Sequence, residues 1–237
     1  MDSAGRAVSG RRVLAVIILW PLAAGLVVVA TLLLLRVTGR MWARAHAADI
    51  GAIALLEAYL VLLAVLGVVF GGLNGIRDRL GFHFTSYHDL LLALLAWLAA
   101  LTVGGIITAL LTPLLGVPKS NASAVLGIGH DPLFVGLVVP TVALIAPAAE
   151  ELLFRGAIFG WLRTRLPLVL AVLISAAVFA GAHLIPPLFP VFFVFGCAAA
   201  LVYRFTGSTL NSFAMHATQN SLAVLVTYIA MARGSLL

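Results

Sequence analysis

VLAVIILWPLAAGLVVVATLLLL, residues Val13–Leu35, carries no charged side chain and is bracketed by Arg12 and Arg36. A helix rises 1.5 Å per residue and a bilayer core is about 30 Å thick, so the run can cross a membrane. It is about twice the length of a signal-peptide core and ends without a small-x-small cleavage site, so it reads as a retained first span. Further apolar stretches follow at Ile50–Leu73, Leu90–Leu115, Leu133–Phe154, Leu166–Leu184, Leu188–Tyr203 and Ser208–Met231. The expected fold is all-α, a multipass transmembrane bundle of about seven spans with kinked or broken helices. Composition agrees, because 63% of the residues are hydrophobic and 9% charged, against roughly 25% charged in soluble domains.

Organisation follows from the same pattern. Residues 1–12 form a short basic tail, 13–132 hold three N-terminal spans and their loops, and 133–237 form a C-terminal core of about four helices. Pro140 and Pro147 are expected to kink the fourth span, because an interior proline removes a backbone hydrogen bond. Pro186, Pro187 and Pro190 punctuate the turn between the fifth and sixth. With the N-terminus inside, the inner segments hold Arg6, Arg11, Arg12, Arg77, Arg79, Arg155, Arg163, Arg165 and Arg204, and the outer ones hold Arg36, Arg40, Arg44, Lys119 and Arg233. That bias favours a cytoplasmic N-terminus in a multi-pass membrane protein. The net charge of +6 is spread thinly along the ends of apolar runs, which fits membrane flanks and not a nucleic-acid patch. The single cysteine, Cys197, excludes an internal disulfide and a cysteine zinc cage, and it reads as a small core residue.

Three polar clusters interrupt the last spans: Glu150-Glu151-x-x-x-Arg155, Phe179-x-x-x-His183 and His216-x-x-x-Asn220. Ionisable side chains at bilayer depth cost several kcal/mol and mark functional sites by default. Residues four apart share a helix face, so Glu151 can pair with Arg155 as a structural ion pair, while Glu150 points about 100° away and is free for chemistry. Phe179 sets an aromatic wall beside the His183 imidazole, and His216 and Asn220 lie in a row. A carboxylate and two imidazoles drawn together suit hydrolysis. Glu150 can take a proton from water; the histidines can hold that water, donate a proton or bind a metal; and Asn220 offers a neutral donor to an oxyanion. Glu150, His183 and His216 are also a ligand set of catalytic zinc sites, but the two-histidine helix signature around a glutamate is absent, so zinc stays an open expectation.

The three clusters, in this order, resemble the motif set of the CPBP (CAAX protease and bacteriocin-processing, or Abi) intramembrane proteases. The likeness runs from about Leu133 to Tyr228. It implies a multipass helical endopeptidase with Glu150 as the base that activates water, His183 in the catalytic centre, and His216 with Asn220 near the oxyanion. Glu151, Arg155 and Phe179 are then supporting residues. The family is known in both glutamate-dependent and metal-dependent descriptions. Its name points to prenylated C-terminal tetrapeptides, and the partners it implies are a peptide substrate near the membrane and the bilayer itself.

Other residues carry less. Glu57 in the second span reads equally as a substrate or proton group and as an interface or packing residue, and Asp49 lies at the start of that span. The loop histidines His46, His83, His88 and His130 read as surface residues, and Trp20, Trp42, Trp97 and Trp161 as packing or interface aromatics. Two other functions share the same residues. One is a non-proteolytic scaffold that confers peptide-toxin immunity or binds membrane proteins; the other is a proton-coupled transporter, for which no internal repeat is evident. Depth poses a problem for all of them. Simple up-and-down helices bounded as above put Glu150 toward the inner side of the bilayer and His183 toward the outer.

Overall fold

The computed structural model describes residues 8–38, 46–115 and 132–233. The expectations on Arg6, Arg40, Arg44, Trp42, Lys119 and His130 lie outside these residues. The described chain is helical, with no strand among the described residues: α1 (Gly10–Thr38), α2 (Ala47–Phe70), α3 (Gly72–Asp78), α4 (Tyr87–Leu115), α5 (Pro132–Leu162), α6 (Leu168–Ala182), α7 (Phe189–Thr206) and α8 (Thr209–Ala232).

Among the described residues, five stretches are long and apolar enough to cross a bilayer: Gly10–Leu33, Ala48–Phe70, Tyr87–Leu114, Pro132–Leu162 and Pro186–Thr206. Seven were expected. The difference lies in α6, whose 15 residues reach only about 22 Å, and in α8, which carries Asn211, Ser212, His216, Gln219 and Asn220 in its first half. The outward faces of the long helices are bare of polar cover, as Leu26 at 72% exposure, Leu110 at 69% and Val68 at 83% illustrate. Such apolar surface is stable only against lipid or another apolar face. One core joins all the long elements, with Val16, Leu66, Ala93, Phe159, Phe179, Phe195 and Met215 packed together. The first three spans and the polar-motif helices therefore share an interior.

Two helix irregularities position the site. Where Pro140 and Pro147 were expected to kink α5, it has a π-helical stretch over Thr141–Ile145 that ends at the proline-bearing turn of Ala146–Glu151. The Ala146 N–H reaches back five residues to the Thr141 carbonyl. In that register the Val142 carbonyl would be answered by residue 147, but proline has no N–H. Asn220 Nδ2 donates to it instead, at 2.9 Å. A second π stretch, Leu152–Phe159, follows the two glutamates. Such turns recur at functional sites, where they re-aim side chains.

The second irregularity is the early stop of α6. His183 is its C-cap, Leu184 takes a left-handed φ of 55°, and Ile185 is held near-extended by Pro186. The depth problem disappears with these boundaries. The fourth span runs on to Leu162 and not to Phe154, so Glu150 lies twelve residues from its end, roughly 18 Å. The fifth stops after about 22 Å, short of a full span, and His183 Nε2 comes within 4.0 Å of Glu150 Oε2.

The reference end for those depths is well defined. A Cβ on Gly10 would lie 2.7 Å from Trp161 Nε1, Thr209 N–H donates to the Gly81 carbonyl at 2.9 Å, and Leu80 packs on Gly156. The start of α1, the loop after α3, the end of α5 and the α7–α8 turn therefore meet at one end. Arg11, Arg12, Arg77, Arg79, Arg163, Arg165 and Arg204 gather there. Gly156 has the least room to give, because an added Cβ would sit 2.9 Å from both the Cβ and the backbone carbonyl oxygen of buried Leu80. Gly156→Ala should therefore destabilise the protein by about 1–3 kcal/mol, read as a lower melting temperature in detergent. Gly136→Ala, where nothing lies within 4 Å, should melt at or slightly above wild type. Equal melting of the two variants would contradict this packing.

Candidate active site

The helix face arithmetic of α5 holds across its short α-helical segment. Glu151 points into the core at 0% exposure and Glu150 points toward a cavity of about 730 Å³. Arg155 Nη1 lies 3.2 Å from Glu151 Oε1, and its guanidinium stacks on Phe179 with Cζ 4.2 Å from the ring centroid. Arg155 Nε and Nη2 have no hydrogen-bond partner, so this cation is balanced by a short-range ion pair and a ring face and not by a closed fork of bonds.

His216 is shared between the two glutamates. Its Nδ1 lies 2.9 Å from Glu151 Oε1 and its Nε2 lies 3.8 Å from Glu150 Oε2. Because a carboxylate only accepts, Nδ1 carries a proton. His183 is fixed by the same logic, since its Nδ1–H donates to the Phe179 carbonyl at 2.8 Å and its Nε2 faces Glu150 Oε2 at 4.0 Å. Two imidazole Nε2 atoms thus converge on one carboxylate oxygen. Glu150 Oε2 is itself buried with no hydrogen-bond partner, whereas Oε1 accepts from the Tyr59 hydroxyl at 2.7 Å. Separations near 4 Å are too long for direct hydrogen bonds and leave room for a bridging water.

Aromatic rings pack the imidazoles. Phe179 lies edge-on to His183 and His216 at centroid distances of 4.7 and 5.7 Å, Phe192 stacks on His183 at 4.2 Å, and Phe195 lies 5.1 Å from His216. Glu150, His183, His216 and Asn220 all line the one cavity, so the structure brings the four sequence-predicted chemical residues together. Asn220 has one amide N–H committed to Val142. Glu151 is more than Arg155's partner, because it also orients His216.

The donor set of Glu150, His183 and His216 has the chemistry of a zinc site, but the spacing does not fit one. A tetrahedral zinc with bonds of roughly 2.0–2.1 Å holds its donors about 3.3 Å apart, against 3.8 and 4.0 Å. Among the described residues no group of three or more His, Cys, Asp or Glu is arranged to hold a metal ion.

Sequence reasoning passed over Tyr59, Phe192, Phe195 and Gln219. Tyr59 shares a face of α2 with Leu55 and Leu62, and all three line the cavity. A lone hydroxyl on an apolar face was its signal, masked by the neighbouring Glu57, which instead accepts from Thr31 Oγ1 at 3.0 and 3.2 Å. Of the tryptophans, Trp20 donates to the Ala58 carbonyl and Trp97 to Gln219. His88 is exposed, and Cys197 is half-buried beside the core.

No curated protein and no solved structure matches the chain significantly. A family model described as Type II CAAX prenyl endopeptidase Rce1-like matches residues 132–222, the stretch from the start of α5 into α8 that holds every motif residue. This segment is therefore similar to the Rce1-like CAAX prenyl endopeptidases, consistent with the motif resemblance, and it lies in a multi-pass helical membrane protein.

Proposed function

We propose that the chain is an intramembrane endopeptidase that hydrolyses a peptide bond near the membrane surface, with its N-terminus and the arginine-rich end cytoplasmic. The observation that carries this is the convergence of His183 Nε2 and His216 Nε2 on the one unpartnered oxygen of Glu150. A water seated there donates to Glu150 Oε2 and to an imidazole. Glu150 takes its proton as the hydroxyl adds to the scissile carbonyl carbon. The oxyanion that forms is met by the second N–H of Asn220, with His216 beside it. The proton held by Glu150 then passes to the departing nitrogen, the C–N bond breaks, and a carboxylate and an amine leave. Tyr59 selects the working oxygen by occupying the other one.

The substrate class we infer is a C-terminal peptide bearing an apolar chain. The cavity wall is largely apolar, with Leu62, Leu101, Val191 and Phe192 around the polar cluster, and Gly105 has nothing within 4 Å of an added Cβ. A prenylated CAAX peptide, the substrate that the matched family's description names, fits that chemistry.

Three expectations follow for protein purified into nanodiscs. Glu150→Gln should lower the cleavage rate of such a peptide by about 10²–10⁴-fold with an unchanged melting temperature; near-wild-type cleavage would refute the role of Glu150. Tyr59→Phe should lower kcat about tenfold, as loss of a charge-assisted hydrogen bond implies, with KM within about twofold. A change in KM alone would assign Tyr59 to binding. Glu151→Ala strands a buried guanidinium and should cost about 3–5 kcal/mol of stability. The double variant Glu151→Ala/Arg155→Met should regain part of that loss, and a double variant less stable than the single one would contradict the pairing.

A further inference from the structure

Gln219 lies three residues after His216, on the same face of α8 as His216, Asn220 and Ala223, and all four line the cavity. Its carboxamide has a fixed sense. Trp97 Nε1 on α4 lies 2.9 Å from Gln219 Oε1, and an indole N–H is a donor only, so the atom it meets must be the amide oxygen. The Nε2 group, with two N–H donors, has no hydrogen-bond partner among the described residues.

The donors around the cavity can be accounted for one by one. The Trp20 indole N–H is given to the Ala58 carbonyl, the Tyr59 hydroxyl to Glu150 and the Thr108 hydroxyl to the Gly104 carbonyl. His183 Nδ1–H goes to the Phe179 carbonyl, His216 Nδ1–H to Glu151, and one Asn220 N–H to Val142. Gln219 Nε2 thus presents the largest free donor capacity in a mainly apolar chamber. Donors without partners in such a place cost free energy that an incoming acceptor recovers. A peptide bears such acceptors at every residue, and Gln219 sits one helical turn beyond His216 on the wall of the same cavity.

We propose that Gln219, oriented by Trp97, binds substrate by donating a hydrogen bond from Nε2 to a backbone carbonyl of the peptide. Trp97 is a positioning residue that acts through Gln219. The inference rests on the endopeptidase reading of this cavity, and it assigns a role in recognition to α4, which lies outside the matched segment.

The test separates recognition from turnover by measuring binding in the Glu150→Gln background. A fluorescent prenylated CAAX peptide is titrated into nanodisc-embedded Glu150→Gln, and into the same protein with Gln219→Glu, Gln219→Met or Trp97→Phe added. Gln219→Glu replaces the donors with acceptors at constant shape and should weaken binding tenfold or more; Gln219→Met, which keeps the length and removes the donors, should weaken it about as far as a lost neutral hydrogen bond allows, up to about tenfold. Trp97→Phe frees the amide to rotate and should weaken binding less than either. In the cleavage-competent protein the Gln219 variants should raise KM with kcat nearly unchanged. Equal affinity of Gln219→Met and its parent, no measurable binding of the peptide to the parent, or a fall in kcat at constant KM would overturn the proposal. Gln219-dependent binding by a protein that never cleaves the peptide would uphold this inference and sink the endopeptidase reading.

Discussion

A fully buried guanidinium in the middle of the bundle governs the arrangement around it. Arg155 is 0% exposed, and Glu151, also 0% exposed, is the carboxylate within ion-pair distance. Two such charges stay in a low-dielectric interior only when each neutralises the other. That requirement pins the register of α5 against α6 through Phe179 and against α8 through His216, whose Nδ1 shares the oxygen that faces Arg155. With Glu151 held inward, Glu150 is rotated into the cavity. The ion pair therefore sets both the position of the carboxylate available for chemistry and the orientation of one imidazole facing it.

Backbone irregularity does the rest. Pro147 leaves the Val142 carbonyl unanswered, and Asn220 answers it, which docks α8 to the loosened part of α5. The left-handed residue after His183 and the prolines beyond it stop α6 at the depth of Glu150. Non-helical backbone at membrane depth is tolerated where it lines a cavity, and His183 and Leu188, on either side of this break, line the one described above. The aromatic residues Phe192 and Phe195 of α7 then hold the two rings so that both Nε2 atoms face the same oxygen.

Much of the site was legible in the sequence. Glu150, Glu151, Arg155, Phe179, His183, His216 and Asn220 were visible because charge and amide groups stand out against apolar helices and because four-residue spacing fixes a shared face. What was not legible depends on contacts between distant elements. The bond from Tyr59 spans 91 positions to Glu150, and that from Trp97 spans 122 to Gln219. Pro186, Pro187 and Pro190 did place the end of the fifth span, expected at Leu184 and found at Ala182. The end of the fourth was misjudged, because Arg155 was read as a flanking charge at Phe154 whereas it is buried against Glu151 and the helix runs on to Leu162. Asn220 shows a subtler limit, since its residue type announced a hydrogen bond but not that one donor would be given to Val142.

The central claim is that Glu150 Oε2, His183 Nε2 and His216 Nε2 enclose a single reactive water. An experimental density map of the protein in lipid, at a resolution that shows ordered water, tests this most directly. The account predicts one water peak within hydrogen-bonding distance of Glu150 Oε2 and of both imidazoles. Glu150 Oε2 bonded directly to an imidazole or turned onto Arg155, with no water between, would contradict it.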